Sequence, residues 1–434
     1  MSRTLFTSMP MAGHLRPGLA IATELVAAGH DVSWYTGAKY ADVVARSGAR
    51  FVPMDPALDF DDADVGGLDD GGKPGLAKLR QDLLDVFITP VRGWVHDLDR
   101  VLDEVRPDVV VAEQGFTAGP LAAELRGIPR VVFSVTPLTL SSVDTAPFGT
   151  GLLPGSGVLS RLRNRVLNRV MRSVVFAEPQ RVAEQMRADL GLPVLPGYFM
   201  DWGPLTADAF LCPSVPEFEY PRRELPDNVE FIGPLLPRDV DAWDPPTWWD
   251  DVLAAGVAGR PVVLVTQGTI ATEPTNLVLP AISGLAGSDA LVIATTVGFD
   301  ADRVLPVEQR PANLRLTSFV PFDRLLPLVD VVVTNGGYGG VQSALAHGVP
   351  LVVAGLTEDK MEVSSRVTWA GVGVALRTDT PTSDQVRTAV DQVLGDGHDA
   401  ERARALQARY AAHHGARRAA EVVLEVAARG ARVG

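Results

Sequence analysis

Twice along the chain, short runs of β-branched and apolar residues alternate with stretches whose apolar positions recur at helical spacing. In the first block Arg3–Ser8 reads as a strand, a Gly/Pro turn follows, and Pro17–Ala28 reads as a helix with Gly29 at its C-cap position. Asp31–Thr36 is the next strand, and the pattern returns as strand Asp108–Ala112, helix Ala118–Arg126, the stop Gly127-Ile128-Pro129 and strand Arg130–Ser134. A second block places strands at Pro261–Thr266, Ala290–Thr295, Leu314–Ser318, Val329–Thr334 and Leu351–Ala354, with helices at Asn276–Ala286 and Tyr338–His347. Strands that take turns with helices imply βαβ units and parallel sheets. The 434 residues exceed what one hydrophobic core holds. Between the blocks, Pro216, Pro221, Pro226, Pro234, Pro237 and Pro245 interrupt every periodicity. The expectation is an α/β protein of two Rossmann-like domains facing across a cleft. Residues 1–212 form the first, 213–246 a linker and 247–400 the second, and a helical end at 401–434 packs back on the first.

Charge narrows the partners. With 53 acidic against 39 basic residues the formal charge is -14, which disfavours nucleic acid or an anionic membrane as the main partner. A small anion is still allowed, because a few backbone N–H groups suffice to hold a phosphate. Cys212 is the only cysteine, so an intramolecular disulfide and a thiolate metal cluster are excluded. The start of the chain lacks the apolar run of a signal peptide, and no stretch has the ~18 apolar residues of a membrane span. A cytoplasmic protein without stable membrane insertion is expected, and a homodimer is compatible with the sequence. Only Lys39, Lys73, Lys78 and Lys360 are lysines, a bias that points to a GC-rich genome. The stretch Asp55–Gly75 reads as a solvated acidic loop; its Asp62-Ala63-Asp64 has the Asp-x-Asp spacing of a metal site, but the flanks are loop-like and no metal is expected. Arg161–Arg172 reads as a basic amphipathic surface helix rather than a membrane anchor, for want of aromatic anchors.

The most informative stretch is Asp330–Gly340. A buried strand ends at Thr334, glycines stand at 336, 337, 339 and 340, and a helix begins. Glycines let backbone N–H groups approach an anion, and the helix N-terminus adds a favourable dipole, so a diphosphate site is expected at the carboxyl end of the strand. Thr266-Gln267-Gly268-Thr269 forms a second such turn. Neither turn ends in the Gly-Lys-Ser/Thr of a P-loop, and the first strand is followed by Met9-Pro10-Met11-Ala12-Gly13-His14, which lacks a dinucleotide fingerprint.

Taken in order, these motifs resemble the bacterial members of glycosyltransferase family 1, the GT-B transferases that attach sugars to antibiotics and other lipophilic small molecules. The resemblance spans nearly the whole chain and is strongest over Phe319–Leu376, with Gly13-His14-Leu15-Arg16-Pro17 and Leu25 to His30 at the start. It implies that Phe319 stacks on the nucleobase while the backbone of Val320 meets the base edge. It implies a diphosphate turn of Asn335, Gly336, Gly337, Tyr338, Gly339 and Gly340, with Thr269 as a hydroxyl partner. Asp359 and Lys360 fall where the family has an Asp/Glu–Gln pair that holds the donor sugar. Three positions depart: Asn335 stands for a His, Ser343 for a ribose-binding Glu, and Gly340 or Val341 for a Ser or Thr. The implied co-substrate is a UDP- or dTDP-sugar, with no cofactor, and the implied acceptor is a lipophilic small molecule.

Transfer to a hydroxyl needs a base beside it. His14, in the turn after the first strand, is the candidate, since an unperturbed imidazole titrates near ~6.5. Glu113, at the end of the Val109–Ala112 run, would orient and stabilise it as the third member of a triad does, with Gln114 as rival partner. An inverting, metal-independent reaction follows. Acceptor contacts are expected from 76–94 and 136–170, with Phe87, Trp94, Leu138 and Phe148 as apolar wall. His347 reads as a helix-end residue, and no His, Cys or carboxylate spacing suggests zinc. A sugar-nucleotide epimerase and a silent binding partner of another transferase are the alternatives.

Overall fold

The computed structural model describes residues 1–62, 80–236, 243–268, 273–296 and 299–430. The chain divides into two compact units, Met1–Pro237 with His413–Gly434, and Arg238–Ala412.

In unit 1, seven strands make one sheet: β1 (Arg3–Thr7), β2 (Asp31–Thr36), β3 (Arg50–Pro53), β4 (Val109–Glu113), β5 (Arg130–Phe133), β6 (Ala209–Cys212) and β7 (Val229–Phe231). Their order is β3-β2-β1-β4-β5-β6-β7, and every neighbouring pair is parallel. All five residues of β4 are buried, as an apolar run must be when helices cover both faces of a parallel sheet. The main helices before residue 200 are α1 (Ala12–Ala27), α2 (Ala41–Arg46), α3 (Val91–Val105), α4 (Ala118–Leu125), α5 (Val158–Val170) and α6 (Ala177–Asp189). In α3 the buried set Val91, Trp94, Val95, Leu98, Val101, Leu102 and Val105 follows the 3.6-residue period. β7 lies inside the stretch 213–246 expected as a linker; its backbone pairs with β6 in register Phe210↔Val229, so the proline breaks flank a strand.

Unit 2 holds six parallel strands: β8 (Val262–Thr266), β9 (Leu291–Thr295), β10 (Leu314–Thr317), β11 (Val331–Thr334), β12 (Leu351–Val353) and β13 (Gly373–Ala375), in the order β10-β9-β8-β11-β12-β13. Around them lie α7 (Trp249–Ala258), α8 (Val278–Leu285), α9 (Tyr338–Ala346), α10 (Lys360–Ala370), α11 (Ser383–Asp396) and α12 (His398–Ala411). The stretch 401–434 is shared between the units. α12 belongs to unit 2, where Tyr410 donates its hydroxyl to Gln342 of α9 at 2.6 Å. The last helix, α13 (Gly415–Gly430), lies on the first sheet with α1: Val422, Val423 and Val426 share a core with Leu15, Ile21 and Leu25. Arg418 fixes it by two bonds to Glu230 of β7, at 2.6 and 3.0 Å.

Both sheets reverse direction at their first strand. In unit 1 the chain runs outward from β1 to β3, then returns to place β4 on the other side of β1; in unit 2 it does the same around β8 and β11. At such a switch point the loops leaving adjacent strands part, opening a crevice at the carboxyl ends. That geometry decides where chemistry can sit.

Candidate active site

At the switch point of unit 1, β1 and β4 lie side by side with Thr7 opposite Ala112. The chain leaving β1 enters α1 at Ala12, so His14 sits in the first turn of a helix rather than in a turn preceding Pro17. The reason is not local. Asp62 accepts from the backbone N–H of Ala12 at 3.1 Å, and is itself held by the Tyr40 hydroxyl and the Lys39 ammonium. A carboxylate on the exposed N–H groups also suits the helix dipole. Asp62 is therefore a buried helix anchor and not part of a solvated loop; Ala63 and Asp64 lie outside the described residues.

Glu113 closes β4 with its side chain wholly shielded from solvent. Its Oε2 accepts from Gly115 N–H at 2.6 Å, its Oε1 accepts from Met9 N–H at 3.3 Å, and His14 Nδ1 lies 3.0 Å from the same Oε1. An imidazole that gives its Nδ1 proton to a carboxylate carries its lone pair on Nε2. The ring keeps 16% of its side-chain surface accessible, and Phe87 stands beside it with ring centroids 5.9 Å apart. Gly115 is a residue the sequence reading missed: a Cβ there would come within 3.0 Å of His14 Cε1 and 3.1 Å of Phe87 Cε1. Gln114, the rival partner, is committed elsewhere, accepting from Ser134 Oγ at 2.7 Å and donating to Thr139 Oγ1 at 3.0 Å.

The expected acceptor residues separate. Phe87 lies at the His14 ring, and Phe148 is half-buried. Trp94 and Leu138 are corrected to core positions. Trp94, 2% exposed, packs on Phe116 and donates its indole N–H to Leu58 O; Leu138, 3% exposed, packs with Val132 and Phe210. Trp94 lies on the buried side of α3 and Leu138 in the loop that follows β5, positions that residue type alone does not disclose.

At the switch point of unit 2, β11 ends at Thr334 beside the end of β8. Gly336 has φ +86°, its N–H donates to Thr334 Oγ1 at 3.3 Å, and a Cβ there would fall 2.6 Å from Val353. Asn335 is buried, and its Oδ1 accepts from Gly337 N–H at 3.4 Å. Gly337 is the N-cap residue of α9, with Tyr338, buried, as its first residue. A Cβ on Gly339 or Gly340 would meet nothing within 4 Å, so the first helical turn fronts open space. N–H groups of that turn lack intrahelical acceptors, the requirement for anion binding.

The neighbouring turn after β12 completes this floor. Gly355 admits no side chain, since a Cβ would lie 2.1 Å from Asn335 O. Lys360, on the first residue of α10, is buried; its ammonium donates to Thr357 Oγ1 at 3.2 Å and pairs with Glu358 at 3.0 Å. Asp359 is the N-cap residue of the same helix. Phe319 is 48% exposed, whereas Val320 is buried. Ser343 spends its hydroxyl on Gly339 O at 2.9 Å, within its own helix. Thr269 lies outside the described residues. Among the described residues no group of three or more His, Cys, Asp or Glu side chains is arranged to hold a metal ion, and no helix is long and apolar enough to cross a membrane.

The family model for the C-terminal domain of erythromycin biosynthesis protein CIII-like proteins matches residues 281–428, and that for the glycosyl transferase 4-like domain matches residues 19–195. The 4'-demethylrebeccamycin synthase of Lentzea aerocolonigenes is 40% identical over 418 residues, covering 95% of this chain and 96% of that protein. The chain belongs to glycosyltransferase family 1. A second relative, UDP-glycosyltransferase 2 of Phaeomoniella chlamydospora, is 33% identical over 98% of this chain and 95% of its own. Among solved structures, the kitacinnamycin glycotransferase is 25% identical with a TM-score of 0.73, covering 98% of this chain and 100% of that one. The calicheamicin glycosyltransferase CalG4, at 22% identity and a TM-score of 0.74 over 99% of each chain, shares the fold. The protein is a glycosyltransferase of GT-B fold, an α/β enzyme of two Rossmann-like domains.

Proposed function

We propose that this transferase moves a hexose from a nucleoside diphosphate sugar, UDP-glucose or a dTDP-deoxysugar, to a hydroxyl of a lipophilic small molecule such as a polyketide. The observation that carries the reading is the His14–Glu113 pair at a switch point, 3.0 Å apart, with the carboxylate wholly buried and the ring partly accessible. The neighbouring nucleotide-sugar and natural-product enzymes, the 4'-demethylrebeccamycin synthase and a UDP-glycosyltransferase among them, support the same class of donor and acceptor.

The steps follow from the groups. His14 Nε2 takes the proton of the acceptor hydroxyl, and Glu113 offsets the charge that the ring gains. The hydroxyl oxygen attacks the anomeric carbon as the bond from that carbon to the diphosphate breaks on the opposite face. The electron pair leaves with the nucleoside diphosphate, and the centre is inverted. The diphosphate is held by the Gly336–Gly340 turn and the start of α9, with Lys360 as nearby cation; Phe319 stacks on the base, and Asp359 faces the donor sugar. Backbone N–H groups of the turn offset the diphosphate charge, and Lys360, paired with Glu358 at 3.0 Å, adds to this if it exchanges that partner for a phosphate oxygen; the reaction is read as metal-independent. Phe87 and Phe148 contribute the apolar side of the acceptor site.

Mass spectrometry of products after incubation with mixed UDP- and dTDP-sugars and a panel of hydroxylated aglycones tests this reading. A product heavier by one sugar residue, formed only with acceptor present, is expected. Interconversion of the sugar nucleotide without transfer, or a nucleotide complex that leaves the glycine turn empty, overturns it.

A further inference from the structure

The surface of unit 1 carries one helix whose polarity is reversed. The face of α5 turned toward the protein is polar: Asn164, fully buried, donates to Val143 O at 3.0 Å, and Asn168 donates to Ser142 O at 3.0 Å. The opposite face is apolar and open to solvent. Val158, Leu162, Val166 and Val170 recur every fourth residue with exposures of 77, 55, 54 and 42%, Leu159 beside them is 83% exposed, and Val174 in the π-turn that follows extends the row at 69%. An exposed helix that offers its apolar row to water leaves that surface without the burial that ordinarily stabilises a helix.

The charge beside the row is also reversed. The chain as a whole carries -14, yet from Val158 to Ala177 it has no Asp or Glu and five arginines, at 161, 163, 165, 169 and 172. Arg161, Arg165 and Arg169 form a second row at the same spacing, flanking the apolar one; Arg161 is paired with Asp144 at 3.5 Å, whereas Arg165 and Arg169 are exposed and carry the local charge. The Debye length of about 8 Å at physiological ionic strength screens the distant carboxylates, so an object touching α5 meets a local cation.

We infer that α5 and its π-turn form a reversible docking face for an anionic lipid surface. The Val/Leu row seats at the headgroup boundary, and the arginine row meets lipid phosphates. Charge complementarity selects this occupant over a second copy of the chain, because antiparallel pairing through the apolar row would set each arginine row against its symmetry mate. The absence of Trp or Tyr from the row makes the attachment weak and salt-sensitive, unlike a stable insertion. The face belongs to the unit that carries His14, so docking would present that unit to acceptors dissolved in the bilayer.

Co-sedimentation of the full chain with vesicles of phosphatidylcholine, with or without phosphatidylglycerol, tests the inference. Binding is expected only to the anionic vesicles, and it should be lost when salt is raised to about 1 M, where screening reaches about 3 Å. The double substitution Arg165→Glu/Arg169→Glu should weaken partitioning at least ~10-fold. Leu162→Ser/Val166→Ser should weaken it several-fold with unchanged Tm, because neither side chain is part of the core. Absence of binding to anionic vesicles, or equal binding by both double variants, overturns the inference. So does a concentration-dependent dimer, or capture of an acidic protein without vesicle binding, that the same substitutions abolish. The readout is partitioning and not turnover, so failure here leaves the proposed transfer reaction standing.

Discussion

Replacing Glu113 by Gln isolates the pair on which the proposed chemistry turns. The carboxylate has two unlike oxygens. Oε2 receives Gly115 N–H at 2.6 Å, and Oε1 faces both Met9 N–H and the His14 ring at 3.0 Å. A Gln amide must place its oxygen at the Gly115 contact, since an NH2 group there would meet a second donor at 2.6 Å. Its NH2 then faces Met9 N–H, the longer of the two donor contacts at 3.3 Å, and donates to His14 Nδ1, which moves the ring proton to Nε2, where the acceptor hydroxyl requires a lone pair. The charge term adds to the tautomer term. Two unit charges 3.0 Å apart attract by about 5.5 kcal/mol at an effective permittivity of 20. With the ring 16% accessible, solvent screens part of this, and if about half survives the loss is about 3 kcal/mol, or ~10²-fold in rate. Together the two effects predict a fall in kcat of ~10² to ~10⁴. The assay is steady-state nucleotide release at saturating donor and acceptor, with calorimetry of UDP or dTDP binding alongside. Nucleotide affinity should stay within about twofold, because the glycine turn belongs to the other unit. A Glu113→Gln enzyme within threefold of the parent rate, or one losing rate and nucleotide affinity together, would refute the reasoning.

Three further outcomes are expected. His14→Ala should lower turnover at least ~10²-fold while nucleotide affinity, read by calorimetry, stays nearly constant. Gly336→Ala forces a side chain into φ +86° and against Val353 at 2.6 Å, so thermal unfolding should show about 1–3 kcal/mol of destabilisation and UDP should bind more weakly. Asp97 is subject to desolvation, which raises its pKa, but donors from Asp55 N–H, Arg100 and the Tyr35 hydroxyl outweigh this and hold it below the usual carboxylate range. Its contribution is therefore present above the unfolded carboxyl value of about 4 and is lost as pH falls through the lower folded one. Urea midpoints between pH 7 and 3 should show an acid decline that Asp97→Asn flattens.

The legible part of this protein was the part written in short periods. β-branched runs and helical spacing placed the central strands of both sheets to within a residue or two, because strand and helix preferences act over a few neighbours; the short strands β3, β6, β7 and β13 went unread. The strand-to-helix glycine turn at Asn335–Gly340 and the pairing of His14 with Glu113 were readable for a related reason: backbone room and acid–base chemistry demand particular residue types. The illegible part depended on partners far along the chain. α1 begins at Ala12 because Asp62 receives its first N–H, fifty positions away. Val229–Phe231, amid prolines, is a strand because β6 offers it an edge.

The sequence by itself determined two parallel α/β sheets, an anion-suited turn in the second, and an imidazole and a carboxylate near the ends of the first and fourth strands. Only tertiary structure decided that Glu113 and not Gln114 meets the imidazole, that Trp94 and Leu138 are core rather than acceptor wall, and that α5 turns its asparagines inward and its valines outward. Periodicity states that a helix has two faces. Which of them is covered is settled by what the rest of the chain brings against it, a free energy shared among residues no local window contains.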